Sequence, residues 1–170
     1  MSPGDELEPL EIPITRTLIV AGALASRDYQ DVHHDPEAAR AKGSPDVFMN
    51  ILTTNGLVGR YITDRFGPTA VLRGVAIRLG APNHPGDTMV LRGTVEEVDG
   101  DTAVVRVTGE NGVGRHVTGT VTVTVSGAVS EAVPGAVPEA VPGAVPGAAP
   151  GAVPVAVTRP LPGSAGGAAE

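Results

Sequence analysis

The stretch NILTTNGLVGRYITDRFGP, residues 50–68, decides the fold. Ile51, Leu52, Val58 and Ile62 recur at helical spacing, and Gly67 followed by Pro68 stops the run, so the pattern predicts one helix from Asn50 to Arg65. At the usual rise such a helix is about 24 Å long. Asn55, Gly56 and Gly59 lie on or beside its apolar face. Glycine costs a helix stability, so small residues there predict a close approach to another surface.

That surface is supplied downstream. AVLRGVAIRL (70–79), TMVLRGTVEEV (88–98), TAVVRV (102–107) and the alternating VTGTVTVTV (117–125) all read as strands. Asp99-Gly100 and Asn111-Gly112 are tight-turn pairs that join the last three as antiparallel neighbours. Upstream, TRTLIVA (15–21) is taken as the first strand, which makes about five. The expected class is therefore α+β, an antiparallel sheet wrapped around one long central helix in the hotdog arrangement. A single such sheet has open edges, so association with another chain is expected.

Three regions are expected: an N-terminal extension over 1–14, the folded domain over 15–126, and a tail over 127–170. The tail is almost wholly Ala, Val, Pro and Gly, with Pro134, Pro138, Pro142, Pro146, Pro150 and Pro154 at every fourth position. It has too little large apolar surface to order itself, so it is expected to be disordered. The remainder is long enough to bury about two-thirds of its unfolded surface without staples. None would be available as disulfides, because the chain has no cysteine. That absence also excludes thiolate catalysis and cysteine-based zinc sites.

Net charge is −7, with 12 Lys and Arg against 19 Asp and Glu. The cations are scattered rather than clustered, and Tyr29, Phe48, Tyr61 and Phe66 are the whole aromatic complement, which argues against a nucleic-acid partner. The first residues are acidic where a secretory signal would be basic, and TLIVAGALA is too short to span a bilayer. A soluble cytoplasmic protein is expected, without a membrane partner.

Of the four histidines, only His33 and His34 stand in a dense polar cluster, with Arg27, Asp28, Gln30, Asp31 and Asp35. Asp28 and His33, five residues apart, could turn toward one point and together hold and deprotonate a water. Three other readings stay open for this loop. It could be a solvated surface turn, His33-His34-Asp35 could bind a metal, or Asp35-Pro36 could cap a short helix beginning in EAARAK.

RDYQDVHHDPEAA resembles the hydratase motif of the MaoC-like family, D-x-N-P-[IL]-H-x-D, with Asp28, Val32, His33 and Asp35 on its fixed positions. Gln30 and Asp31 depart from the family's Asn-Pro. SPDVFMNILTTNGLVGRYITDRFGP resembles the family's oxyanion segment and central helix, and LGAPNHPGDTMVLRGTV its strand, Gly-Asp turn and next strand. The likeness spans roughly residues 15–125 in the family's order. Within the family, RDYQDVHHD, VFMNILTTNGLV and RLGAP resemble the smaller subunits of actinobacterial steroid side-chain enoyl-CoA hydratases of cholesterol catabolism.

The resemblance implies an enoyl-CoA hydratase subunit. Asp28 would be the principal base, and His33 the second water ligand and proton partner. The backbone N–H of Met49 or Asn50 would face the thioester oxygen, and Thr54 would stand for a family serine. It implies no metal or organic cofactor, CoA being part of the substrate, and a second MaoC-like subunit in a hetero-oligomer, where a heterotetramer would fit. A partner with a reduced hotdog could open the tunnel for a bulky steroid. Two alternatives accompany this reading: a (3R)-hydroxyacyl-ACP dehydratase subunit of fatty acid synthesis, and a non-catalytic structural partner in a heteromeric hydratase.

Overall fold

The computed structural model describes residues 1–125. The expectation for the Ala/Val/Pro/Gly-rich segment therefore lies outside the described residues. The described chain runs through β1 (Glu6–Pro13), α1 (Arg16–Ala25), a 3-10 turn (Asp31–His33), α2 (Pro36–Ala41), α3 (Ile51–Phe66), β2 (Ala70–Leu79), β3 (Thr88–Asp99), β4 (Thr102–Glu110) and β5 (Arg115–Val125). The strands form one antiparallel sheet in the order β1-β3-β4-β5-β2, which leaves β1 and β2 at the edges.

Alternation along β3, β4 and β5 places every second side chain on the face that α3 covers. Val95, Val105 and Val121 pair across three adjacent strands and are buried, each contributing roughly 1.5 kcal/mol or more through burial. Asn50 caps α3, its side-chain oxygen accepting the Thr53 N–H at 3.0 Å, and Gly67, at φ 85, ends it. The buried stripe is Thr54, Val58, Tyr61 and Ile62, a 3.6-residue recurrence. Tyr61 reaches the sheet because β3 has Gly93 beneath it. A Cβ at Gly93 would stand 3.2 Å from the Tyr61 ring.

Three expectations need correction. TRTLIVA is not a strand: Thr15 caps α1, accepting the Leu18 N–H at 3.0 Å, and Ile19 and Ala23 are buried one helical turn apart. A short continuous apolar run has no period of its own, so burial by neighbours decides its form. The first strand is instead ELEPLEIP, inside the stretch expected to be an extension, and it pairs with β3. Pro9, which argues against a strand in sequence, falls where the register shifts between Leu7 and Leu10 on an edge strand, a place that tolerates a missing N–H.

The third correction concerns the face of α3. Ile51 and Leu52 are about half exposed, since they belong to the first turn. Of the small residues, Gly59 is the one in close contact: a Cβ there would meet Leu72 at 3.2 Å, whereas Gly56 faces open space. Among the described residues no helix is long and apolar enough to cross a membrane.

Candidate active site

The polar cluster is built at the exit of α1. Ser26 closes the helix, its N–H and hydroxyl both donating to the Gly22 carbonyl. Arg27 then takes φ 57, a left-handed conformation that is costly for a side chain with a Cβ. It reverses the chain so that the Asp28 N–H donates to the Ala23 carbonyl at 2.9 Å. The Asp28 backbone is thereby pinned to α1, an element the sequence pattern did not reveal.

His33 ends the 3-10 turn and is 5% exposed. Its Nδ1–H donates to the Phe48 carbonyl at 2.7 Å, and the ring meets Phe48 edge-on with centroids 5.1 Å apart. That bond settles the ring's direction and leaves Nε2 facing Asp28 Oδ2 at 3.3 Å. The Asp28 carboxyl lies below its ordinary range, first because the Asn50 amide donates to it at 3.0 Å, an effect that outweighs its desolvation. A carboxylate oxygen and an imidazole nitrogen, both able to accept, thus converge on one point. They can bind the two hydrogens of a single water.

The neighbouring polar groups are otherwise engaged. Asp31 pairs with Lys42, and His34 Nε2 lies 3.3 Å from the Tyr29 carbonyl. Asp35 caps α2, accepting the N–H groups of Glu37 and Ala38. Among the described residues no group of three or more His, Asp or Glu side chains could hold a metal ion.

The expected substrate contacts divide. Met49 donates its N–H to the Asn83 carbonyl at 3.0 Å, whereas the Asn50 N–H has no acceptor among the described residues. Thr54 is fully buried, and its hydroxyl meets His116 Nε2 at 2.9 Å. His116 Nδ1 lies 2.6 Å from the Ala81 carbonyl, which can only accept; Nε2 is therefore the acceptor and Thr54 the donor. Burial lowers the His116 pKa. Sequence reading placed Asp28 and His33 but missed Ser26, the Asn50 side chain and His116. The one available signal was Asn50 standing at a helix start, where asparagine often turns its side chain back on the backbone.

Comparison with known proteins agrees with this architecture. The model of the MaoC like domain family matches residues 1–128. The 3-oxo-4,17-pregnadiene-20-carboxyl-CoA hydratase beta subunit of Mycobacterium tuberculosis is 46% identical over 122 residues, 72% of this chain and 95% of that protein. The crystal structure of the ChsH1-ChsH2 complex from Mycobacterium tuberculosis contains a chain 46% identical, with a TM-score of 0.71 over 72% of this chain and 97% of that one. The R-hydratase PhaJ1 of Pseudomonas aeruginosa, at 19% identity and a TM-score of 0.68 over 74% of this chain and 82% of its own, shares the fold.

Proposed function

The chain belongs to the MaoC-like family, and from that premise we propose that it is the catalytic MaoC-like subunit of a heteromeric enoyl-CoA hydratase. The observation that carries the reading is the 3.3 Å approach of Asp28 Oδ2 to His33 Nε2, with His33 Nδ1 tied to the Phe48 carbonyl. A water held by both atoms attacks C3 of a trans-2-enoyl thioester. As the oxygen bonds C3, Asp28 takes one of the water's protons, and the C2=C3 electron pair moves toward the thioester as an enolate. The proton returns at C2 through the Asp28 and His33 pair, completing the addition of one water.

Charge that develops on the thioester oxygen needs a fixed donor. Met49 has given its N–H to Asn83, so the Asn50 N–H at the start of α3 fills this role, aided by the helix dipole. Thr54 supports that first turn from behind through His116.

The substrate in this reading is a steroid side-chain thioester of the kind named for the Mycobacterium tuberculosis relative, 3-oxo-4,17-pregnadiene-20-carboxyl-CoA. In this reading the step belongs to cholesterol catabolism, the short carboxyl-CoA group in that name being compatible with a shortened sterol side chain. The protein, in this reading, works in the cytoplasm, a location compatible with a CoA thioester substrate. The partner is a second MaoC-like subunit, and the open edge of β2, with Val71 and Leu72 exposed beside it, suits association.

The test is hydration of crotonyl-CoA and of the pregnadiene thioester by the chain alone and co-purified with its partner. Asp28→Asn and His33→Ala are each expected to lower kcat by about 10² or more without dissociating the subunits. Wild-type turnover in both variants would sink the dyad, and robust hydration by the chain alone would argue against an obligate partner.

A further inference from the structure

Asn50 does more than start a helix. The residue is 2% exposed, and both ends of its side-chain amide have partners. Oδ1 accepts the Thr53 N–H at 3.0 Å, which fixes which end of the amide is which. Nδ2 is then directed back across the α1 exit, donating to Asp28 Oδ2 at 3.0 Å and to Ser26 Oγ at 2.9 Å. The Ser26 hydroxyl has already given its proton to the Gly22 carbonyl at 2.8 Å, so its lone pair is free for Asn50. Each bond in this chain runs in one direction only, and the carboxylate oxygen at its end is the one that faces His33.

We propose that Asn50 is a positioning residue for the hydration step: its side-chain amide holds Asp28 as a carboxylate and aims Oδ2 at His33 Nε2. The role rests on the hydration reading and acts through Asp28. An amide nitrogen can donate but cannot accept, so it favours the charged carboxylate over the acid, in keeping with the lowered Asp28 pKa. His33, on the 3-10 turn, is the titratable group facing Asp28; α1 and α3 present Ser26 and Asn50, which do not titrate. The same side chain caps α3, so the helix that supplies the oxyanion donor and the loop that supplies the base are locked together by one amide.

Capping and positioning are separable. Serine caps a helix about as well as asparagine but lacks the amide that reaches Asp28, and Asn50→Asp keeps a capping oxygen while placing a second negative charge beside the first. In the full chain co-purified with its partner, Asn50→Ser is expected to keep the wild-type Tm within a few degrees. It should lower kcat for crotonyl-CoA roughly tenfold, the rate equivalent of one hydrogen bond to a charged group. KM should hold, since every Asn50 variant retains the backbone N–H. The acid limb of the pH profile should move to higher pH, and further still in Asn50→Asp.

The carboxyl carbon of Asp28, followed by NMR through a pH titration, should move in the same order without reference to turnover. Unchanged kcat, acid limb and NMR titration in Asn50→Ser would overturn the proposal. A wild-type complex that hydrates neither crotonyl-CoA nor the pregnadiene thioester would instead overturn the hydration reading, and the NMR titration would still decide whether Asn50 sets the charge of Asp28.

Discussion

The two halves of α3 do opposite work. Its C-terminal half is apolar where it is buried, with Val58, Tyr61 and Ile62 packed over β3 to β5 and Gly93 making room for the Tyr61 ring. At its N-terminal turn, where Ile51 and Leu52 face outward, the buried side chains are polar: Asn50 reaches Asp28 and Ser26, and Thr54 reaches His116. Buried polar groups cost stability unless they are partnered; Asn50 and Thr54 are, whereas Thr53 Oγ1 and Asn55 Oδ1 have no partner among the described residues, so this end adds little net stability and holds geometry instead. One helix therefore carries the core at one end and the candidate chemistry at the other.

Truncation should separate the halves most sharply. Tyr61→Ala removes a fully buried ring and the hydroxyl's bond to the Glu8 carbonyl, and is expected to cost about 3–5 kcal/mol in urea denaturation. A loss below about 1 kcal/mol would mean that the sheet closes over the gap and that the division is less sharp than drawn.

At the polar end, Thr54→Val leaves the buried His116 Nε2 without its donor and should cost about 1–3 kcal/mol. The same histidine sets a pH dependence. Its folded pKa lies below the unfolded value because burial disfavours the cation, so the unfolded chain binds the extra proton first. Stability is full above the ordinary histidine value and falls as pH drops below about 6.5. Urea midpoints measured from pH 8 to 5 check this, and a flat midpoint across that range would count against the assigned bonding.

The smallest effect is expected at the α1 exit. Arg27→Gly relieves a left-handed backbone and should stabilise by about 1 kcal/mol, read as a rise in Tm. A fall in Tm would show that the arginine side chain itself holds the turn.

Much of the sheet was legible because its signals are local. β2 runs over the predicted residues 70–79, and β3, β4 and β5 contain their predicted runs, with Gly100 at φ 55 in the first tight turn and Asn111 bonded across the second. α3, Ile51–Phe66, lies within one residue of the predicted 50–65 at each end. The N-terminal region was not legible. ELEPLEIP has two prolines and three acids, which a central strand would reject and an edge strand accepts, and edge position is a property of the assembled sheet. TLIVAGALA has no alternation, and only its packing made it helical.

For the candidate site, sequence alone determined which residues have the chemistry. An acid and an imidazole five positions apart, followed by a helix with asparagine at its start, can be read from residue type and spacing. Their geometry was decided by the tertiary structure. The exit of α1 reverses at Arg27, the Phe48 carbonyl turns His33, and the Asn50 amide crosses from one helix to the other to hold Asp28. Those bonds link residues 15 to 22 positions apart, and a hydrogen bond depends on direction within a few tenths of an ångström, which no local pattern of residue types encodes.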